Sequence, residues 1–246
     1  AGALRVHYRC GGDQQAEARV VIAAHGKRGR LDHALDRPFI AARHPYVAFK
    51  THYDEPVPTD AIELHGFPGG YLGLSSVEQG RLNACLLATQ DALREAGGYD
   101  GLIGHLASTT PPLAERLARD RALLPRPLAI AQVAFSQKEL CCRDVLMAGD
   151  AAALIAPLCG DGMAMALRGA ELLAPLVLRH LGGDCDFPSL QAAYRRAFSR
   201  EFQQRLWLGR VLQAGLLRPH VARLGLRALH RWPSLGDVLI RATRGT

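Results

Sequence analysis

The sequence lacks several things that would each have named a function class. No run of 18 or more apolar residues is present, so nothing reads as a membrane-spanning helix. The N-terminal stretch shows no basic segment leading into an apolar run, so no secretory signal is visible and the cytoplasm is the expected location. No HxH, HExxH or CxxC spacing occurs, which leaves no metal site to predict from sequence. Six scattered cysteines in a chain of 246 residues do not form the framework of a short secreted domain, and they read as reduced thiols. GxGxxG, the usual phosphate-binding fingerprint of a βαβ unit, is absent too.

What is present is an ordinary globular composition, 48% hydrophobic and 22% charged, with a net charge of +7. The charge is uneven. Residues 191–246 hold eleven Arg, no Lys, and only Glu201 and Asp237 as acids. That tail has few aromatics to stack bases and no nucleic-acid module, so no nucleic-acid partner is expected. A solvated basic helical cap is one reading. Peripheral contact with an anionic membrane through Arg195, Arg196, Arg200, Arg205 and Arg210 is the other.

The pattern along the chain predicts strands at 4–9 and 19–24, joined as a hairpin through Gly11, Gly12 and Asp13. Four further strands follow at 46–53, 61–67, 70–77 and 81–88, giving an antiparallel sheet. Short helices are expected at 89–96 and from Pro111, where Thr110 can cap and Pro suits the first turn. A strand at 128–134 precedes an apolar strand at 144–148, a helix at 160–180, and a helical region from Pro188 broken at Pro219 and Pro233.

The chemistry concentrates in Gly149, Asp150, Pro157, Gly160, Asp161, Gly162 and Met163. A strand ending in Gly and Asp puts one carboxylate at the C-terminal edge of a sheet, where α/β folds hold ligands, and a carboxylate there suits a sugar-like hydroxyl. The second glycine pair opens a helix whose free N–H groups and dipole favour an anionic group.

These residues resemble the superfamily of FAD-dependent oxidoreductases that contains the aromatic-ring hydroxylases and the geranylgeranyl reductases, over most of residues 18–180. The resemblance implies FAD as cofactor. Asp150 would then bond the ribityl chain, and the amides from Gly160 to Met163 would face the N1 and O2 edge of the flavin. A second match, residues 20–30, resembles the superfamily's DG loop, with His25 where Asp is usual and Gly29 where Ser is usual; Gly26 and Arg30 are the positions carried over. Asp161 and the segment Gly66–Gly73 look more like the reductase branch than the hydroxylases. The missing GxGxxG implies the C-terminal portion of such an enzyme.

The expected fold class is therefore α/β, or α+β overall: a partial Rossmann-like FAD-binding domain, an inserted antiparallel substrate sheet, and C-terminal helices. The divisions are residues 1–35 and 137–187 for the FAD-binding segments, 36–136 for the substrate domain, and 188–246 for the helical region. The implied activity is reduction of a double bond in an apolar, isoprenoid or polyketide-like substrate, with electrons from a reduced nicotinamide or another donor. Hydroxylation of an aromatic or polyketide substrate is the alternative within enzymes. A non-enzymatic remnant, or a subunit completed by a partner, is the alternative outside them. Tyr71, Lys50 and His52 are the candidate proton donors on the substrate sheet, and Cys159 stands where a helix start can lower a thiol's pKa, while small-residue packing explains it as well.

Overall fold

The computed structural model describes residues 3–54 and 61–244. In chain order the strands and helices are β1 (Leu4–Arg9), β2 (Asp13–Ala18), β3 (Val21–Ala23), α1 (Arg30–Ala34), β4 (Tyr46–Tyr53), β5 (Ile62–Phe67), β6 (Gly70–Ser76), β7 (Leu82–Thr89), α2 (Gln90–Glu95), α3 (Tyr99–Thr109), α4 (Pro111–Arg116), β8 (Leu128–Val133), β9 (Cys141–Cys142), β10 (Val145–Met147), α5 (Gly162–Gly182), α6 (Phe187–Leu216), α7 (Pro219–Arg231) and α8 (Pro233–Arg244). The mixed α/β class matches the expectation from sequence. The chain forms two compact units, one of residues 1–42, 135–210 and 238–246, the other of residues 43–134 and 211–237.

The first unit is built on a small sheet in the order β3-β10-β9, with β3 and β10 parallel and Leu146 opposite Ile22. Two helices bury it. On α6, Leu190, Tyr194, Phe198, Phe202 and Leu206 recur every fourth residue, so they share one helix face and are all buried. Their rings stack edge to face, Phe198 and Phe202 with centroids 4.7 Å apart. Tyr194 donates its hydroxyl to the Met147 carbonyl at 2.9 Å, so the one polar group of this stripe is satisfied inside the core. Met165, Gly169, Leu173 and Val177 make the matching stripe on α5. At roughly 1.5–3 kcal/mol for each large side chain buried, these two stripes are the main source of this unit's stability.

The N-terminal hairpin differs from the sequence expectation. Its second strand is β2, Asp13–Ala18, paired so that Leu4 faces Ala18, whereas Val21–Ala23 joins β10 in the core sheet. Asp13–Ala18 reads DQQAEA and carries no apolar alternation, because both of its faces are largely exposed. The apolar run Val21–Ala23 pairs in the parallel sheet instead, where Ala23 is buried.

The second unit is a five-stranded antiparallel sheet in the order β5-β6-β7-β4-β8. Alternation places Val47, Tyr53, Leu72, Leu74, Leu82, Ala84 and Leu86 on one face, where they pack with Leu102, Leu106, Leu113 and Leu117 of the helical layer. Thr89 caps α2, its Oγ1 accepting from the Ala92 N–H at 3.2 Å. Thr110 makes no such side-chain bond; α4 starts instead with two prolines in its first turn. α3 was not expected, since Gly101, Gly104 and a Thr-ended sequence weaken its helical signal. Tertiary burial of Leu102 and Leu106 overrides that propensity.

Candidate functional site

Because β3 and β10 run parallel, the loops that follow them leave the same edge of the sheet. The Ala148 N–H donates to the Ala23 carbonyl at 3.0 Å, which keeps the strands paired to that edge. One loop then carries His25, Gly26 and Lys27, the other Gly149 and Asp150. Lys138 ties them: its ammonium donates to the Lys27 carbonyl at 2.6 Å and to the Asp150 carbonyl at 2.8 Å, and lies 4.5 Å from the centroid of the Phe39 ring. Burial, and the charge of Arg37, bring the Lys138 pKa down to about 8.

Under the loops lies a buried ionic core. Arg37 and Asp32 are inaccessible to solvent, with Nη1 2.7 Å from Oδ1. The same guanidinium donates to the Ala151 carbonyl at 3.0 Å and the Glu139 carbonyl at 2.8 Å. Asp32 also accepts from the Gly29 N–H at 2.8 Å and faces His25 Nε2 at 2.9 Å. Burial alone would raise the Asp32 pKa, but Arg37, His25 and the Gly29 amide outweigh it and hold the carboxyl below its ordinary value. His25, standing where the resembled loop has Asp, thus closes the loop onto Asp32.

The turn after β10 requires glycine twice. Gly149 has φ 58° and Gly160 φ 67°, both in the left-handed region that costs other residues roughly 1–2 kcal/mol. Gly149 begins a single 3-10 turn that carries Asp150. The Asp150 carboxyl is half-buried, and among the described residues no hydrogen bond reaches it. Burial raises its pKa, against the opposing charges of Lys27 and Lys138. Pro157 starts the second 3-10 turn on the surface, and Gly160 then turns the chain into α5. The Met163 side chain is 85% exposed; its part in any site is its backbone N–H in the first, unpaired turn of the helix. Between Gly149, Asp150, Gly162 and Phe198 remains only about 10 Å³ of free space, so a ligand has to lie on the outer side of these loops.

Asp161 is turned away from that outer side. Its buried carboxylate stands 3.6 Å from Arg205 Nη1, and burial raises its pKa against the charges of Arg205 and Arg244. Arg205 also pairs with Glu201 at 3.1 Å, so of the five α6 arginines read as a basic face, this one belongs to an internal network. Arg30 is exposed at the first position of α1, beside the β1–β2 hairpin. For Cys159 the packing reading holds and the lowered pKa does not: the thiol is buried beside Asp161, and burial with that neighbouring charge pushes its pKa up to about 11. All six cysteines are free.

In the second unit, Lys50 pairs with Cys85, His52 with Asn83, and Tyr71 with Leu87. All three candidates therefore share the sheet face opposite the helical layer. They do not form a cluster. From strand spacing and rise, Tyr71 and Lys50 are about 12 Å apart at Cα and Tyr71 and His52 about 17 Å. Tyr71 is buried, Lys50 exposed, and His52 half-buried with its Nε2 shielded and unpartnered among the described residues. Leu216 approaches this face at Gly66. On the opposite face, Thr51, Tyr53, Tyr99 and Leu117 line a separate cavity of about 670 Å³. No group of three or more candidate metal ligands occurs among the described residues.

Compared with solved structures, the chain superposes on the flavin-dependent brominase Bmp2 with a TM-score of 0.71 at 15% identity, covering 97% of this chain and 60% of that one. The fold is that of the FAD-dependent oxidoreductases. It is similar to a geranylgeranyl bacteriochlorophyll reductase-like protein from Thermoplasma acidophilum, TM-score 0.66 at 18% identity over 82% of this chain and 51% of that one. It is also similar to PqsL, a probable FAD-dependent monooxygenase from Pseudomonas aeruginosa, TM-score 0.63 at 20% identity over 85% and 59%. The chain thus spans about three fifths of PqsL's length. No protein-family model matches the sequence, and no curated protein does.

The two loops named in the sequence follow the paired parallel strands. Gly26 follows one parallel strand and Gly149 the other, and Gly160 to Met163 lead into the next helix. The buried Asp32, Arg37 and Lys138 beneath them went unread in the sequence. Arg37 bonds the carbonyls of Glu139 and Ala151, and Lys138 that of Lys27, each across more than a hundred positions, and no local spacing signals that.

Proposed function

We propose that the chain forms the flavin-facing part of an FAD-dependent oxidoreductase that reduces a double bond in a small apolar substrate. The observation that carries the cofactor is the half-buried Asp150 carboxyl, which faces the charges of Lys27 and Lys138 but accepts no hydrogen bond among the described residues, held on the same sheet edge as the Lys27 loop and followed by the free amides of α5. A carboxyl so placed accepts hydroxyls of a sugar-like chain, and the helix start stabilises negative charge on a ring lying against it. FAD, when bound, supplies hydride exchange with a reduced nicotinamide or other donor and with the substrate. The protein's share is to hold the ring, exclude water and supply a proton. Tyr71 is our choice for the last role, because it is buried on the sheet face opposite the helical layer whereas Lys50 is exposed.

The fold likeness to a probable FAD-dependent monooxygenase supports hydroxylation as the second reading. Product analysis separates them: reduction adds two hydrogens to the substrate, hydroxylation one oxygen atom. The cofactor assignment is tested by titrating FAD fluorescence into the protein and its Asp150→Ala variant. Losing these hydrogen bonds, at roughly 1–3 kcal/mol, should weaken binding about five- to a hundredfold. Equal affinities would remove Asp150 from the site.

A further inference from the structure

Lys138 is 5% exposed, and both acceptors of its ammonium are main-chain carbonyls. The charged and titratable groups around it are Lys27 on the loop after β3, Asp32 on α1 with His25 against it, Arg37, Glu139 and Asp150. Asp32 is already bonded to Arg37, and Arg37 sets a second cation near the ammonium. A buried cation so placed is a poor source of stability, and its geometry gives it another use. The main chain of Lys138 is fixed to one loop: its N–H donates to the Ala152 carbonyl at 2.9 Å, Gln137 bridges to Ala153, and the Leu154 N–H donates to the Ser136 carbonyl at 3.2 Å. Residues 136–138 therefore run antiparallel beside the turn that carries Asp150. From this anchor the side chain reaches the Lys27 carbonyl of the other loop at 2.6 Å. After the bond from Ala148 to Ala23, no backbone hydrogen bond joins the two loops among the described residues, and the ammonium joins them directly.

We propose that Lys138 is a positioning residue of the candidate site, its positive charge holding the Lys27 and Asp150 loops at the spacing that the cofactor meets. A neutral amine keeps two N–H donors, so loss of the proton does not cut the tie. It removes the charge that strengthens both bonds and the attraction to the Phe39 ring, 4.5 Å away. The tie slackens, and two loops that are no longer held at one spacing must be ordered again when a ligand binds. With the Lys138 pKa at about 8, cofactor affinity is highest below that value and falls as pH rises through it. The cofactor half of this inference rests on the flavin reading, and the loop spacing does not.

The test is FAD fluorescence titration together with amide hydrogen exchange on the whole chain, each at about pH 7 and about pH 9, on either side of the Lys138 pKa. Exchange is expressed as protection relative to the intrinsic rate at each pH. It is read at Gly29, Ala152 and Ala153, whose amides are bonded within these loops, with Leu86 on β7 as the control. In the wild type, FAD affinity and loop protection should both fall about fivefold between the two pH values, the advantage of a charged donor over a neutral one, while Leu86 stays unchanged. Lys138→Met, neutral at both, should be weak and flat in both measurements. Lys138→Arg, charged at both, should be flat and restore the affinity that Lys138→Met loses. A fall that persists in Lys138→Met belongs to another titrating group and overturns the proposal. Wild-type protection that does not change with pH overturns it too, with no variant needed. FAD binding absent at every pH refutes the flavin reading, and the exchange data then decide the loop tie alone.

Discussion

Replacing Arg37 by Met keeps most of the side chain's volume and removes its charge. The Asp32 carboxylate, inaccessible to solvent, then retains only His25 at 2.9 Å and the Gly29 N–H at 2.8 Å, and the Ala151 and Glu139 carbonyls lose their donor. Breaking a buried pair from one side costs roughly 3–5 kcal/mol, because the surviving charge is left uncompensated. Against a whole-protein stability of about 5–15 kcal/mol that is a large fraction. Asp32→Asn should fall at the lower end of the same range, since Arg37 keeps its carbonyl partners. The double variant should cost less than the two singles together, by up to about 3 kcal/mol. Urea unfolding followed by circular dichroism measures all three. The pH dependence follows from the depressed Asp32 pKa: the pair's contribution is complete above the ordinary carboxylate range and is lost as pH falls through the lower folded-state value. The gap between wild type and Arg37→Met should close in acid accordingly. A gap below about 1 kcal/mol at neutral pH, or strictly additive single variants, would refute the account of this core.

Lys138 gives a slope of the same sign in a more alkaline window. Its folded pKa is near 8 and its ordinary value 10.5, so the unfolded chain binds more protons between those values and wild-type stability should rise there, relative to Lys138→Met, by roughly 3 kcal/mol. Equal slopes in urea titrations across that window would contradict the buried ammonium. Cys159, with its thiol buried and its pKa near 11, should be alkylated in the native protein far more slowly than the exposed Cys10, as mass-mapped iodoacetamide labelling at mildly alkaline pH would show. Early labelling of Cys159 would mean that the loop opens readily.

The five-stranded sheet was legible because its strands are half-buried: on Tyr46–Tyr53 and Leu82–Thr89 the alternation that packs one face is written into the sequence. The Gly149–Asp150 turn was legible because glycine is needed for its backbone and few other residues meet that need. The second strand of the hairpin was not, since an exposed strand has no pattern to conserve its register. Nor was the Asp32, Arg37 and Lys138 core. A charged residue in a sequence reads as solvated until its partner is known, and here Arg37 is bonded to residues about a hundred positions away. For Cys159 both a helix start and small-residue packing were visible, and only the fold shows that the packing desolvates the thiol.

The parallel pairing of β3 with β10 has a consequence for how the protein forms. Val21 meets Val145 across more than a hundred residues, whereas every strand pair of the five-stranded sheet lies within residues 46–133. Closing so long a loop is slow, and the local hairpins close first. During synthesis, β3 therefore emerges early and waits, its apolar edge unpaired, while the antiparallel sheet assembles downstream of it. Only when Val145–Met147 leaves the ribosome can the two loops of the candidate site be brought to one edge. Until then the nascent chain carries a half-made site, and this is the interval in which it is most exposed to wrong strand partners.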